Sequence, residues 1–257
     1  MARAALHFWE EPPISGEAGS GTVFFAHCPL HCVYCQNACI AEGRVGRDIT
    51  VERLAQIFLE QQARKALNIN LVTPTHYILQ ILDALDLARK RGLALPVVYN
   101  TSGYETPETI ALAGEYVDVF LTDYRYADPS VAARYSRAAD YPDTALDALS
   151  AMASTDASVI VRILLLPGQL ESTNQALDRL VARFGDRLMN QFPPMPAAVE
   201  RFPELARTVS AAEYEELLDH LDSLGVEEYF WQDGDAADES FIPDFESCEG
   251  VDGSGIR

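Results

Sequence analysis

Six short apolar runs, each stopped by a polar or proline-containing turn, constrain the fold of this chain more than any other feature. They are 22–26, 68–72, 96–99, 117–121, 159–166 and 188–192. Between them lie stretches with helical spacing of apolar residues. Val51, Leu54, Ile57 and Phe58 share one helix face, as do Ile78, Ile81, Leu82 and Leu85, and then Leu177, Leu180, Val181 and Phe184. Ser210-Ala211-Ala212-Glu213 has the spacing of a capping box and opens a further helix carrying Tyr214, Leu217, Leu218 and Leu221. Nearly continuous apolar strands that alternate with helices predict an α/β fold with a parallel sheet covered on both faces. The pattern fits an open sheet and a barrel equally. In both, ligands gather where the strands end. Here those ends carry cysteines, Thr73-Pro74-Thr75-His76, Asn100-Thr101-Ser102 and Asp123, with Arg162 inside the fifth run.

The 257 residues are 48% apolar, enough for one sizeable core. Asp and Glu number 39 against 19 Lys and Arg, a net charge of −20. Such a surface repels phosphate backbones and anionic bilayers, which argues against nucleic acid and membranes as partners. No apolar run reaches bilayer length, and the first residues lack the pattern of a signal peptide. Five cysteines, three of them clustered, do not form a disulfide framework. A reducing cytoplasm is the expected location. Pro and Gly density predicts an irregular leading segment over 1–20, a core domain over 21–232 and an acidic, loosely ordered tail over 233–257.

The loop after the first run reads Cys28-Pro29-Leu30-His31-Cys32-Val33-Tyr34-Cys35, a C-x3-C-x2-C spacing. Zinc sites of the finger type take four ligands, commonly as two separated pairs, and no second pair is present. Three thiolates on a four-iron cluster leave one iron open to another ligand. Cys39 offers an alternative: with Cys32 and Cys35 it makes C-x2-C-x3-C, and four cysteines close a ferredoxin-like centre. The other reading of Cys39 is a small apolar packing residue, and Cys248 reads as an inert tail thiol. His27 and His31 flank the cysteines and read as residues beside the ligands or exposed to solvent.

The cysteine loop resembles that of the radical S-adenosylmethionine (radical SAM) superfamily. The flanking text resembles its branch related to pyruvate formate-lyase activating enzyme. The similarity runs from Glu10-Glu11-Pro12 to about Gln232 and includes Gly19-Ser20-Gly21-Thr22-Val23-Phe24-Phe25, residues 68–77, Tyr99-Asn100-Thr101-Ser102-Gly103-Tyr104-Glu105, Val161-Arg162 and Leu166-Pro167-Gly168. The resemblance implies a partial (β/α)6 TIM-like barrel with parallel strands and the cluster loop after the first of them. It implies a [4Fe-4S] cluster on Cys28, Cys32 and Cys35, with S-adenosylmethionine (SAM) chelating the open iron. Cleavage of SAM gives a 5′-deoxyadenosyl radical that abstracts hydrogen.

The same resemblance sets Tyr34 against the adenine and Thr73, Pro74, Thr75 and His76 beside the SAM amino group. Relatives carry a Gly-Gly-Glu segment there. Asn100, Thr101 and Ser102 match a stretch that reaches the ribose and other polar groups of SAM. Arg162 matches an arginine that pairs with the SAM carboxylate, and Asp123 an aspartate beside a monovalent cation. Asn100 stands where activases carry an aspartate of that cation site, and their histidine after the sixth strand aligns with Pro193-Pro194. The implied partners are a reduced flavodoxin- or ferredoxin-type electron donor and a protein or peptide substrate, in the manner of a glycyl-radical activase. Radical chemistry on a small metabolite and a non-catalytic electron carrier are the alternatives. The carrier requires Cys39 as a ligand.

Overall fold

The computed structural model describes residues 1–185, 189–191, 202, 205, 207, 209–226 and 243–252. Chain order is β1 (Arg3–His7), α1 (Pro12–Ser15), β2 (Ser20–Phe24), α2 (Ala38–Ala41), α3 (Val51–Ala63) and β3 (Ile69–Val72). A 3-10 turn (Thr75–Tyr77) then leads into α4 (Ile78–Lys90), β4 (Val97–Thr101), α5 (Pro107–Gly114), β5 (Val119–Asp123), α6 (Pro129–Ser136) and α7 (Tyr141–Met152). β6 (Ser158–Arg162), α8 (Leu170–Phe184), β7 (Met189–Gln191) and α9 (Ala211–Ser223) complete the described elements. The strands form one sheet in sequence order. β2 through β7 pair in parallel, and β1 is antiparallel to β2. Six parallel strands interleaved with helices are the expected α/β arrangement, and it agrees with a partial (β/α)6 barrel.

The period of two along each strand sorts side chains between two faces. Leu71, Val97, Tyr99, Phe120 and Val161 point to the helix layer and join one large core with Ile57, Phe58, Ile81, Leu85 and Leu149. Val98, Leu121 and Ile160 face the other way and form a small inner cluster whose fourth buried member is Ile14 of α1. α1 therefore fills part of the inner face. Two residues further along the same face come Asn100, Asp123 and Arg162, at the C-terminal ends of β4, β5 and β6. The helix starts follow their sequence signals. Thr50 Oγ accepts from the Arg53 N–H at 3.1 Å, and Ser210 and Glu213 make the reciprocal capping box.

Three expectations need correction. The first 20 residues are not irregular throughout, since Arg3–His7 pairs with Ser20–Phe24 residue for residue. Arg-Ala-Ala-Leu-His has no β-branched residue, so local propensity gives no strand signal there. The fifth run ends as a strand at Arg162 rather than at Leu166. Its β5 partner ends at Asp123, and Ile163, Leu165 and Leu166 enter the core from a loop. The tail is not loose over 243–252. Phe245, Cys248 and Val251 are buried, the Ala4 N–H donates to the Glu249 carbonyl at 2.9 Å, and Arg53 donates to the Val251 and Gly250 carbonyls. The stretch 228–232, Pro193-Pro194 and 233–242 lie outside the described residues. Among the described residues, no helix is long and apolar enough to cross a membrane.

Candidate cluster and cofactor site

β2 ends at Phe24 and runs into the cysteine loop at the C-terminal edge of the sheet. Backbone hydrogen bonds fix the loop at both ends. Cys28 N donates to the Ala41 carbonyl of α2 at 3.1 Å, and Val33 N to the Tyr135 carbonyl of α6 at 2.9 Å. Buried Leu30 and Tyr34 anchor it in the large core. Cys28, Cys32 and Cys35 are free and half-buried. Cys32 Sγ lies 3.0 Å from Ser136 Oγ and accepts from Arg125 Nη1 at 2.9 Å. Burial pushes the Cys28 thiol up, and burial together with the Cys32 charge pushes Cys35 up to about 12. Both are thus held as neutral thiols until a metal supplies the charge that stabilises thiolates. Cys39 sits in α2 and packs against the separate cluster of Ala2, Phe24, Ile40, Val72 and Phe245.

A chain of charges runs from this loop across the inner face. Arg125 Nε donates to Asp123 Oδ2 at 2.9 Å, and Arg162 Nε to Asp123 Oδ1 at 2.6 Å. Arg162 Nη2 donates to Asn100 Oδ1 at 2.8 Å, and its Nη1 is 3.5 Å from Glu11 Oε1. Asn100 Nδ2 donates to Glu10 Oε2 at 3.2 Å. Burial pushes the Asp123 carboxyl up, but Arg162 and Arg125 outweigh it and hold the group below the ordinary carboxylate range. Both Asp123 oxygens already take guanidinium donors, so a monovalent cation there competes with two fixed positive charges.

Glu10 and Glu11 respond differently. Burial raises Glu10 against the pull of Arg162. It raises Glu11 to about 7, with Arg162 pulling down and Glu10 pushing further up. Folded Glu11 keeps its proton over a range in which the unfolded chain, with an ordinary value of 4.5, has lost it. Its contribution to stability is therefore complete below about pH 4.5 and is lost as pH rises through about 7. Relative to Glu11→Gln, the wild-type unfolding free energy in urea falls between pH 5 and pH 8. Parallel profiles for the two proteins contradict the assignment.

A further carboxyl group, that of Glu105, holds the neighbouring loops. Glu105 Oε1 accepts from Thr75 Oγ at 2.6 Å, Thr101 Oγ at 2.7 Å and the Tyr99 hydroxyl at 3.3 Å. It clips the turn after β3 to the end of β4. Thr73 adopts a left-handed φ of 58°, costly for a β-branched residue, and its N–H donates to the Asn100 carbonyl at 2.9 Å. Pro74 is buried, whereas His76 is exposed. Ser102 is half-buried, and its carbonyl accepts from the Tyr141 hydroxyl at 2.8 Å. The buried Tyr34 hydroxyl bonds that of Tyr126, which lies 2.9 Å from Ser136 Oγ.

The structure thus joins Cys32, Asp123, Arg162 and Asn100 in one network, with Thr73, Thr75 and Thr101 beside it. Among the described residues, no hydrogen bond or ion pair joins His76 to that network. Sequence reading gave no role to Glu10, Glu11, Glu105 or Arg125. Glu10 and Glu11 precede two prolines and Arg125 follows a strand end, but neither position carries a spacing signal.

The Radical SAM superfamily model matches residues 22–181. A protein of Methanocaldococcus jannaschii named "Uncharacterized protein MJ0674" is 28% identical over 235 residues, covering 86% of this chain and 67% of its own. Streptococcus suis SuiB, solved with its precursor peptide SuiA, superposes with a TM-score of 0.59 at 11% identity, over 82% of this chain and 48% of its own. Methylornithine synthase (PylB) gives 0.60 at 13% identity, over 89% and 69%. Coproporphyrinogen III oxidase (HemN) from Escherichia coli, described as a radical SAM enzyme, gives 0.55 at 13%, over 79% and 52%. The chain spans about half the length of SuiB. The structural likenesses show the fold alone. The family match takes in β2 from Thr22 onward, the whole cysteine loop, β3 to β6 and most of α8, and with it this chain belongs to the Radical SAM superfamily.

Proposed function

We propose that this protein reductively cleaves SAM and uses the resulting radical to abstract a hydrogen atom from a protein or peptide. The observation that carries the proposal is the C-x3-C-x2-C loop at the C-terminal edge of six parallel strands, with Cys32 tied through Arg125 and Asp123 to Arg162. The donor set suits the cofactor. Three half-buried free thiols lie on one loop, and the next cysteine, Cys39, is packed elsewhere. Among the described residues, no group of three or more His, Cys, Asp or Glu is gathered around a single metal position. A four-iron cluster needs no such gathering, since each iron takes its own thiolate. Held by Cys28, Cys32 and Cys35, a cluster would supply the one electron needed to break the sulfonium–C5′ bond of SAM, leaving methionine and the abstracting radical.

This chain's residues bind and orient. Cys28, Cys32 and Cys35 hold the cluster. Arg162 offers a guanidinium fork to the SAM carboxylate, and Asn100 and Thr101 offer polar groups at the end of β4. Asp123 fixes both arginines. Glu105 sets the loop of Thr73, Pro74 and Thr75, where the SAM amino group belongs in this reading. Tyr34 lies under the loop as the adenine-side aromatic. A reduced flavodoxin- or ferredoxin-type protein supplies the electron, and the peptide substrate follows from the resemblance to the activating enzymes.

The test is anaerobic reconstitution with iron and sulfide, followed by SAM and dithionite. Release of 5′-deoxyadenosine, stimulated at least several-fold by the cognate peptide or protein, is the expected result. A loaded protein that leaves SAM intact overturns the reading.

A further inference from the structure

Arg125 has a position that binding and orienting SAM do not require. Its Nη1 donates to Cys32 Sγ at 2.9 Å, while Nε and Nη2 donate to Asp123 Oδ2 at 2.9 and 2.5 Å. Its guanidinium carbon stands 5.9 Å from the centre of the Tyr34 ring. Its own backbone N–H donates to the Tyr141 hydroxyl at 3.1 Å, and that hydroxyl donates in turn to the Ser102 and Asp123 carbonyls. The charge is therefore fixed by contacts on both its backbone and its side chain. Ser136 Oγ approaches the same sulfur at 3.0 Å and also meets the Tyr126 hydroxyl at 2.9 Å. A Cys32 thiolate has no proton to give, so Ser136 then donates to the sulfur and accepts from Tyr126. One cysteine sulfur thus receives two donors, one of them charged.

We propose that Arg125, with Ser136 as second donor, raises the reduction potential of the cluster through the Cys32 sulfur. The inference rests on the reading that Cys32 is a cluster ligand. Reduction adds an electron, and part of its charge spreads onto the ligating sulfurs. A positive group and hydrogen-bond donors aimed at one sulfur stabilise the reduced state more than the oxidised state. Net charge and hydrogen bonds to sulfur are general determinants of iron–sulfur potentials. Asp123 keeps Arg125 aimed, and the same carboxylate holds Arg162, so its two oxygens join the cluster-side and SAM-side arginines.

The experiment is an EPR-monitored redox titration of the reconstituted full chain without SAM. Wild type is compared with Arg125→Met, Arg125→Lys and Ser136→Ala. The expected result for Arg125→Met is at least a tenfold fall in the equilibrium constant for one-electron reduction, about 59 mV more negative. Ser136→Ala shifts in the same direction by less, and Arg125→Lys, which keeps the charge and loses the fork, falls between wild type and Arg125→Met. Unchanged potentials in Arg125→Met and Ser136→Ala at full iron content overturn the proposal. If Arg125→Met fails to load, Ser136→Ala decides alone in the same two ways. A Cys32→Ala protein that still binds a normal cluster defeats the ligand reading and the proposal together, whereas unchanged potentials defeat the proposal only.

Discussion

Alanine at Cys28, Cys32 or Cys35 is expected to remove the four-iron cluster and all release of 5′-deoxyadenosine, and alanine at Cys39 to leave both at the wild-type level. The contrast follows from where the four sulfurs sit. The first three share the loop leaving β2, and Cys28 and Cys32 border the large core. Cys39 is turned into a different apolar cluster, between Phe24, Val72 and Phe245, where it acts as a small apolar side chain. A cluster held by three protein thiolates has none to spare. Iron and sulfide content, with the absorbance of the reconstituted cluster, reads the result. Loss of the cluster in Cys39→Ala, matched by retention in one of the other three variants, places the fourth ligand on Cys39 and favours an electron carrier.

Arg162→Met is the most destabilising substitution expected on the inner face. Arg162 donates to Asp123 and Asn100 and faces Glu11. Its removal leaves Asp123 with Arg125 as its remaining guanidinium and takes the neighbouring arginine away from Glu10 and Glu11. Breaking a buried pair from one side costs about 3–5 kcal/mol, because the partner's charge stays buried. The loss is largest near pH 8, where Glu11 is ionised. It shrinks toward pH 5, where Glu11, raised to about 7 in the wild type, carries a proton and needs no partner. Urea unfolding at the two pH values measures it. A loss below about 1 kcal/mol, in the range of an exposed pair, contradicts the network. Arg162→Lys keeps a charge without the fork and gives an intermediate loss.

The two faces of the sheet were not equally legible in the sequence. The helix-side core is written in apolar runs and helical stripes, and Phe58, Leu85, Tyr99 and Phe120 all fall where those patterns predict. The cysteine loop is legible because metal ligation imposes a spacing. Arg162 is legible because a lone charge in an apolar strand needs a partner. Its partners are another matter. Glu10 and Glu11 look like two more of the chain's 39 acidic residues, and only tertiary contact with Arg162 and Asn100 separates them from solvated surface. Arg125 differs from an ordinary turn residue only once Cys32 is seen beside it. Glu105 is hidden for the same reason, since the hydroxyls of Thr75, Tyr99 and Thr101 that it collects come from two different segments. β1 escaped because an alanine-rich edge strand is set by its pairing with β2 rather than by its own residues.

In the proposed chemistry one iron of the cluster is left without a protein ligand so that SAM can take it. EPR of the reduced, reconstituted protein with and without SAM addresses that iron directly. SAM is expected to change the g-values of a four-iron signal, with the change weakened in Arg162→Met. A reduced cluster whose spectrum is identical with and without saturating SAM contradicts it.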